Sequence, residues 1–141
     1  MANSKSIGVA FEDQNIVGAD YVGAESMYAT GELGYANTAS HVVTQATSKS
    51  TAVTLNAPTG RITMNGAALA NVTNVTFTLN NSKLHANDVI VLAVSGGATS
   101  GAYNCWVSSL AAGSCTITLR NISGGSLSEA VVINFVIIHC E

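Results

Sequence analysis

Residues 44–56 read TQATSKSTAVTLN, and residues 57–65 continue APTGRITMN. Val53 and Leu55 alternate with Thr54 and Asn56, so an extended segment here has one aliphatic face and one face of hydroxyls and amides. Pro58, the chain's only proline, cannot donate to a ladder, and Gly60 tolerates a positive φ, so APTG separates two strands. Ile62 and Met64 then alternate with Arg61, Thr63 and Asn65. The period is two, and the branched Cβ of threonine suits a pleated surface while its hydroxyl stays wet. The segment predicts half-buried β-strands.

The same texture continues to the C-terminus. In NVTNVTFTLN, Val75, Phe77 and Leu79 point one way and Thr76 and Thr78 the other. VIVLAV is continuous and apolar, as expected of a strand buried on both faces. AYNCWVSSL and SCTITLRN flank AAG, which predicts a hairpin with a short glycine-containing loop. AVVINFVII closes the pattern as a long central strand. With a short edge strand near HVVTQA, eight strands are predicted after residue 40, and no helix. Strands recurring at this spacing with polar turns predict an all-β fold, an antiparallel eight-stranded β-sandwich of jelly-roll type, over residues 41–141.

A chain of 141 residues is expected to form one main domain. Its charged residues are only 9%, against about 25% in ordinary soluble domains. A free monomer usually keeps itself soluble with a mixed-charge surface, so this shortage points to a surface partly covered by other chains. No basic stripe is present, which argues against nucleic acid as a partner. The longest apolar run is too short to span a bilayer and is interrupted by Asn134, which argues against a membrane partner. The N-terminal stretch lacks the apolar core of a signal peptide. Cys105, Cys115 and Cys140 are odd in number with no CxxC pair, so reduced thiols are expected rather than a disulfide framework.

Residues 1–40 read differently and predict an irregular N-terminal arm. They carry one base against five acids, net −4, while the rest carries four bases against three acids, net +1. They also hold Phe11, Tyr21, Tyr28 and Tyr35, half of the chain's aromatics. Large aromatics are scarce in solvated tails, so the arm is expected to order against a surface. Phe11, Tyr21, Tyr28 and Tyr35 would be its anchors, with Glu12 and Asp13 pairing with basic groups.

The search for chemistry is negative. His41, His85 and His139 stand at no metal-like spacing from one another or from a carboxylate, and each reads as an ordinary surface or strand-end histidine. SGGATSG is followed by neither a lysine nor a helix start, so it is a loop and no phosphate cradle. Asp88 is one of few carboxylates able to orient a catalytic histidine, and no nucleophile motif accompanies it. No catalytic residue, cofactor or metal is assigned, and the chain does not read as an enzyme. Trp106 falls out of phase with Tyr103, Cys105 and Val107. Two readings of it stand: a residue buried on the second face of a sandwich, or an anchor at a subunit interface, where tryptophan is enriched.

The phrases TQATSKSTAVTLNAPTGRITMNGAAL and GAYNCWVSSLAAGSCTITLRNISGGSLSEAVVINFVII resemble a family of small structural proteins of tailed bacteriophages, over about residues 42–138. These are head decoration (cement) proteins and the terminal modules of head fibres. The most specific element runs from Thr44 to Thr63. The resemblance implies a homotrimeric β-sandwich on the outer face of the virion capsid, made in the host bacterial cytoplasm, with the major capsid protein as partner and no catalytic residues. Residues 1–40 lie outside it and would be the attachment segment. The alternative is a head-fibre or tail-fibre tip that recognises a host surface or glycan.

Overall fold

The computed structural model describes residues 23, 25, 26, 28–35 and 41–140. The predicted anchors Phe11, Glu12, Asp13 and Tyr21 lie outside the described residues. The chain divides into two units, Met1–Leu33 and Gly34–Glu141. In the first, the described Tyr28 is 91% exposed.

The second unit is a β-sandwich of eight strands: β1 Val42–Thr44, β2 Val53–Thr54, β3 Thr59–Thr63, β4 Asn74–Asn80, β5 Val89–Gly96, β6 Tyr103–Ala111, β7 Ser114–Asn121 and β8 Val132–Ile138. One sheet has the order β1-β3-β8-β5 and the other β2-β4-β7-β6. Among the described residues there is no helix, and so none long and apolar enough to cross a membrane.

The first six strands alternate between the sheets, and only β6 and β7 form a hairpin. Two successive crossings return the chain to its starting sheet in its starting direction. That is why the pairs β1–β3 and β2–β4 are parallel, whereas the other ladders are antiparallel. The hairpin turns at Gly113, whose φ of 80° lies in the left-handed region that glycine enters without steric cost.

The core is the inner face of both sheets. Ile62, Ile133, Phe135 and Ile137 from one sheet meet Phe77, Leu79, Ile117 and Leu119 from the other. Each such side chain contributes about 1.5–3 kcal/mol when fully buried. The alternation read in the sequence is therefore the alternation of core and solvent. β8 lies between β3 and β5, the central position its apolar run predicts.

β5 departs from expectation. VIVLAV is an edge strand, paired with β8 alone. Ile90, Leu92 and Val94 turn to the core, but Val89 and Val91 on the outer face are 50% and 47% exposed. A continuous apolar run does not by itself tell a strand buried on both faces from an edge strand with one face exposed.

Polar groups fasten the loops. The buried Gln45 amide donates to the carbonyls of Lys49 and Thr51 and accepts from the Asn65 amide. The Lys49 ammonium is buried too and donates to the carbonyls of Asn65, at 2.6 Å, and Glu129. The TQATSKST phrase is thus a closed loop from β1 to β2, locked onto the segments that follow β3 and precede β8. Asn81 and Asn121 act similarly, the first donating to the Ala57 carbonyl and the second to those of Leu69 and Gly125.

Pro58 creates one vacancy in the ladder. It stands opposite Ile137 in the β3–β8 register, and its carbonyl accepts from the Ile137 amide at 2.8 Å. Having no N–H, it cannot return the bond. The Tyr35 hydroxyl donates to the Ile137 carbonyl instead, at 2.9 Å. Tyr35→Phe is expected to lower stability by about 1 kcal/mol, the net value of one such bond. Urea denaturation of the two proteins measures it, and an unchanged midpoint would show the bond to be dispensable.

Candidate functional site

Three places on the sandwich hold side chains whose arrangement exceeds what folding requires. The first is the flank formed by the adjacent edge strands β5 and β6. β5, β6 and β8 contain no charged residue, and Arg61 and Arg120 are the only charged residues in the eight strands described. On the outer face of the first sheet, Val89 pairs with Ile138 and Val91 with Val136, so the exposed aliphatic groups are contiguous. On the outer face of the second sheet, Trp106 projects from β6 beside Thr118 and is 37% exposed. The described residues leave it part-exposed, so it is not a fully buried core residue.

The rest of that second face is a hydroxyl array. Thr76 and Thr118 hydroxyls lie 2.8 Å apart, Ser109 and Thr116 hydroxyls 2.7 Å apart, and Ser108 also bonds Thr118. Cross-strand hydroxyl pairs of this kind stabilise a sheet face without ionic groups. They explain how the domain exposes so much sheet with so little charge.

The second place is the open end of the sandwich beside the start of β5. Asp88 and His139 extend the β5–β8 register by one pair beyond Val89 and Ile138. They share the inward phase of Ile90 and Ile137, which places the Asp88 carboxylate in the interior. Nδ1 of His139 lies 3.0 Å from both Asp88 oxygens. The His85 amide donates to Asp88 Oδ2 at 2.8 Å, and the His85 ring lies 5.0 Å from the His139 ring, centroid to centroid. One ligand-capable atom from each of His85, Asp88 and His139 lies within 4.8 Å of the others. Linear spacing hides this cluster, because 51 residues separate Asp88 from His139. The β5–β8 pairing is the signal that reveals it.

The third place surrounds Glu129. Its carboxylate accepts from the Thr99 amide and hydroxyl, at 3.1 Å and 2.6 Å to Oε1. Those bonds hold it below the usual carboxylate range, against the opposing effect of burial and with further help from Tyr103 and Lys49. Burial, and then the same carboxylate, push the Tyr103 phenol up to about 12. For Asp88, burial acts upward, but the His85 amide, the His139 ring and the Cys140 amide together hold the carboxyl below its ordinary value.

Both depressed carboxylates favour the folded state most when ionised. Their contribution is complete above the ordinary values of 3.8 and 4.5 and is lost as pH falls through the lower folded values. Urea midpoints should therefore be nearly flat from about pH 7 to 5 and fall below about pH 4. Asp88→Asn should flatten part of the acid fall, and an unaltered fall would remove Asp88 from this account.

The three cysteines are free thiols. Cys105 pairs with Leu119 and Cys115 with Leu110, so the two do not face each other across the hairpin. Burial raises both thiols, Cys115 to about 11, which keeps them protonated and unreactive. In the loop between β4 and β5, Asn81 and Asp88 are buried and committed to loop bonds, so neither is offered to a ligand such as a glycan. Tyr35 spends its hydroxyl on Ile137, and its ring is half-exposed. No family model, curated protein or solved structure matches this chain.

Proposed function

We infer that this chain is a structural virion protein, a capsid decoration (cement) protein that binds the outer capsid surface as a homotrimer and stabilises the shell. The observation that carries the reading is the uncharged β5/β6 flank, with Val89, Val91 and Ile138 exposed on one sheet and Trp106 on the other. Long apolar edge strands left open invite uncontrolled pairing, and natural proteins cover or charge them. This flank is not charged, so a cover by sister copies is the consistent solution, and a closed ring of three leaves no free edge for filaments. The N-terminal segment would attach the trimer to the major capsid protein through its aromatics and carboxylates. Three weak attachments on one rigid body reinforce one another. The chain is assigned no catalytic step.

Co-sedimentation with shells of the virus that encodes the chain tests the attachment. Deletion of residues 1–33 is the suitable truncation, because the second unit begins at Gly34 and Tyr35 is kept to satisfy Ile137. The full chain is expected to pellet with shells and the truncated chain to stay in solution while retaining its β-sheet circular dichroism. Shell binding by the truncated chain would overturn the attachment role. Failure of the full chain to bind would overturn the decoration reading.

One observation favours the fibre-tip alternative. Trp106 stands exposed beside Thr118, and Asn104, Arg120 and Asn74 form the neighbouring cross-strand row. An exposed aromatic offers a sugar a stacking face, and the neighbouring amides and guanidinium offer it hydrogen bonds. Retention of the chain on a glycan surface, abolished by Trp106→Ala, would support that reading over decoration.

A further inference from the structure

The geometry points to a binding site for a divalent transition-metal ion of the zinc class at the open end of the sandwich, with His85 and His139 as protein ligands and Asp88 as the carboxylate that orients His139. The site is independent of the virion reading.

Asp88 is the fixed element. Its side chain is fully buried, and its oxygens accept from the His85 amide and face the His139 ring. An ionised carboxylate only accepts, so Nδ1 of His139 must carry the proton that lies between them. That fixes the tautomer and leaves Nε2 of His139 with a free lone pair. A ligating histidine held by a carboxylate at its other nitrogen is the common arrangement at metal sites. The arrangement also holds the ring in one orientation, with Nε2 turned away from the carboxylate.

His85 supplies the second imidazole. It sits in the loop before β5, is exposed, and lies 5.0 Å from the His139 ring at a 33° tilt. Two ligands at about 2.0–2.1 Å from a zinc-sized ion stand about 3–3.5 Å apart in a tetrahedral site. One ligand-capable atom from each of His85, Asp88 and His139 lies within 4.8 Å of the others, and with the His139 ring held by Asp88, a turn of the exposed His85 ring would bring its nitrogen toward Nε2 of His139. Neutral imidazoles suit zinc, copper and nickel ions and disfavour magnesium and calcium. The adjacent Asp88 charge offsets part of the cation's charge, and waters would complete the coordination.

A purely structural Asp88–His139 pair needs no second imidazole beside it. The test is therefore aimed at His85, whose side chain makes no hydrogen bond among the described residues; the bond to Asp88 comes from its backbone amide and survives substitution. Calorimetric titration of the full chain with zinc chloride near neutral pH, after EDTA treatment and desalting, is expected to give one ion per chain. His85→Ala and His139→Ala should each weaken binding by about tenfold or more, and Asp88→Asn by about 10–100-fold as loss of an orienting carboxylate does. Cys140→Ser controls for the exposed neighbouring thiol and should bind as the parent does. No binding by the parent, or affinity within twofold in both histidine variants, would overturn the site. So would loss in Cys140→Ser with retention in the histidine variants, which would move the metal to the thiol.

Discussion

Lys49→Met is expected to destabilise the sandwich by about 3 kcal/mol, which for a domain of this size lowers Tm by roughly 10 °C. The side chain is buried, and its ammonium donates to the carbonyls of Asn65 and Glu129. Burial lowers the pKa of this lysine, partly offset by the nearby Glu129 carboxylate, so desolvating the charge carries a cost. The two charge-assisted bonds offset that cost, at about 1.5–3 kcal/mol each. Methionine fills the volume but leaves both carbonyls without a donor. Because one carbonyl follows β3 and the other precedes β8, the loss loosens three segments at once. Thermal or urea denaturation reads it directly. A change under about 0.5 kcal/mol, the scale of ordinary surface substitutions, would mean that the TQATSKST loop is held by other contacts.

Val91→Arg is expected to leave the subunit folded and to abolish its self-association. Val91 is half-exposed on edge strand β5, opposite Val136, so an arginine there extends into solvent in the isolated subunit. Its effect on monomer stability should stay within about 0.5 kcal/mol. In an assembly that covers this flank, each copy would bring a positive charge into an uncharged apolar contact, which costs several kcal/mol. That corresponds to at least about a hundredfold weaker association. Sedimentation and circular dichroism together check both halves. An assembly unchanged by Val91→Arg would place the subunit contacts elsewhere.

The sequence conveys best those features that depend on neighbours in the chain. Cys115, Ile117 and Leu119 alternate with Thr116, Thr118 and Arg120, and β7 follows with its hairpin partner because a short glycine turn joins them. β8 is central, as its long apolar run predicts, with Asn134 as its exposed outward residue. Features that depend on distant neighbours are not legible in the same way. Gln45 and Lys49 look like wet loop residues, since their partners lie at Asn65 and Glu129. His85 and His139 look isolated until the β5–β8 register brings His139 opposite Asp88. β5 is the opposite case: its composition predicts burial on both faces, while the structure leaves Val89 and Val91 half-exposed on the outer one.

The parallel edge pairs have a similar origin. Alternation gives each strand's faces, but it carries no information on which sheet receives the strand. That choice rests on the crossings between sheets, which the loops at residues 45–51 and 81–88 make with buried amides at Gln45 and Asn81.

The most direct test of this account is the mass of the full-length protein in solution, by sedimentation equilibrium at micromolar concentration and moderate salt. Sister copies closing over the β5/β6 flank predict three times the 14.3 kDa chain mass, unchanged by further salt because the contact is apolar. A monodisperse monomer of one chain mass would contradict it.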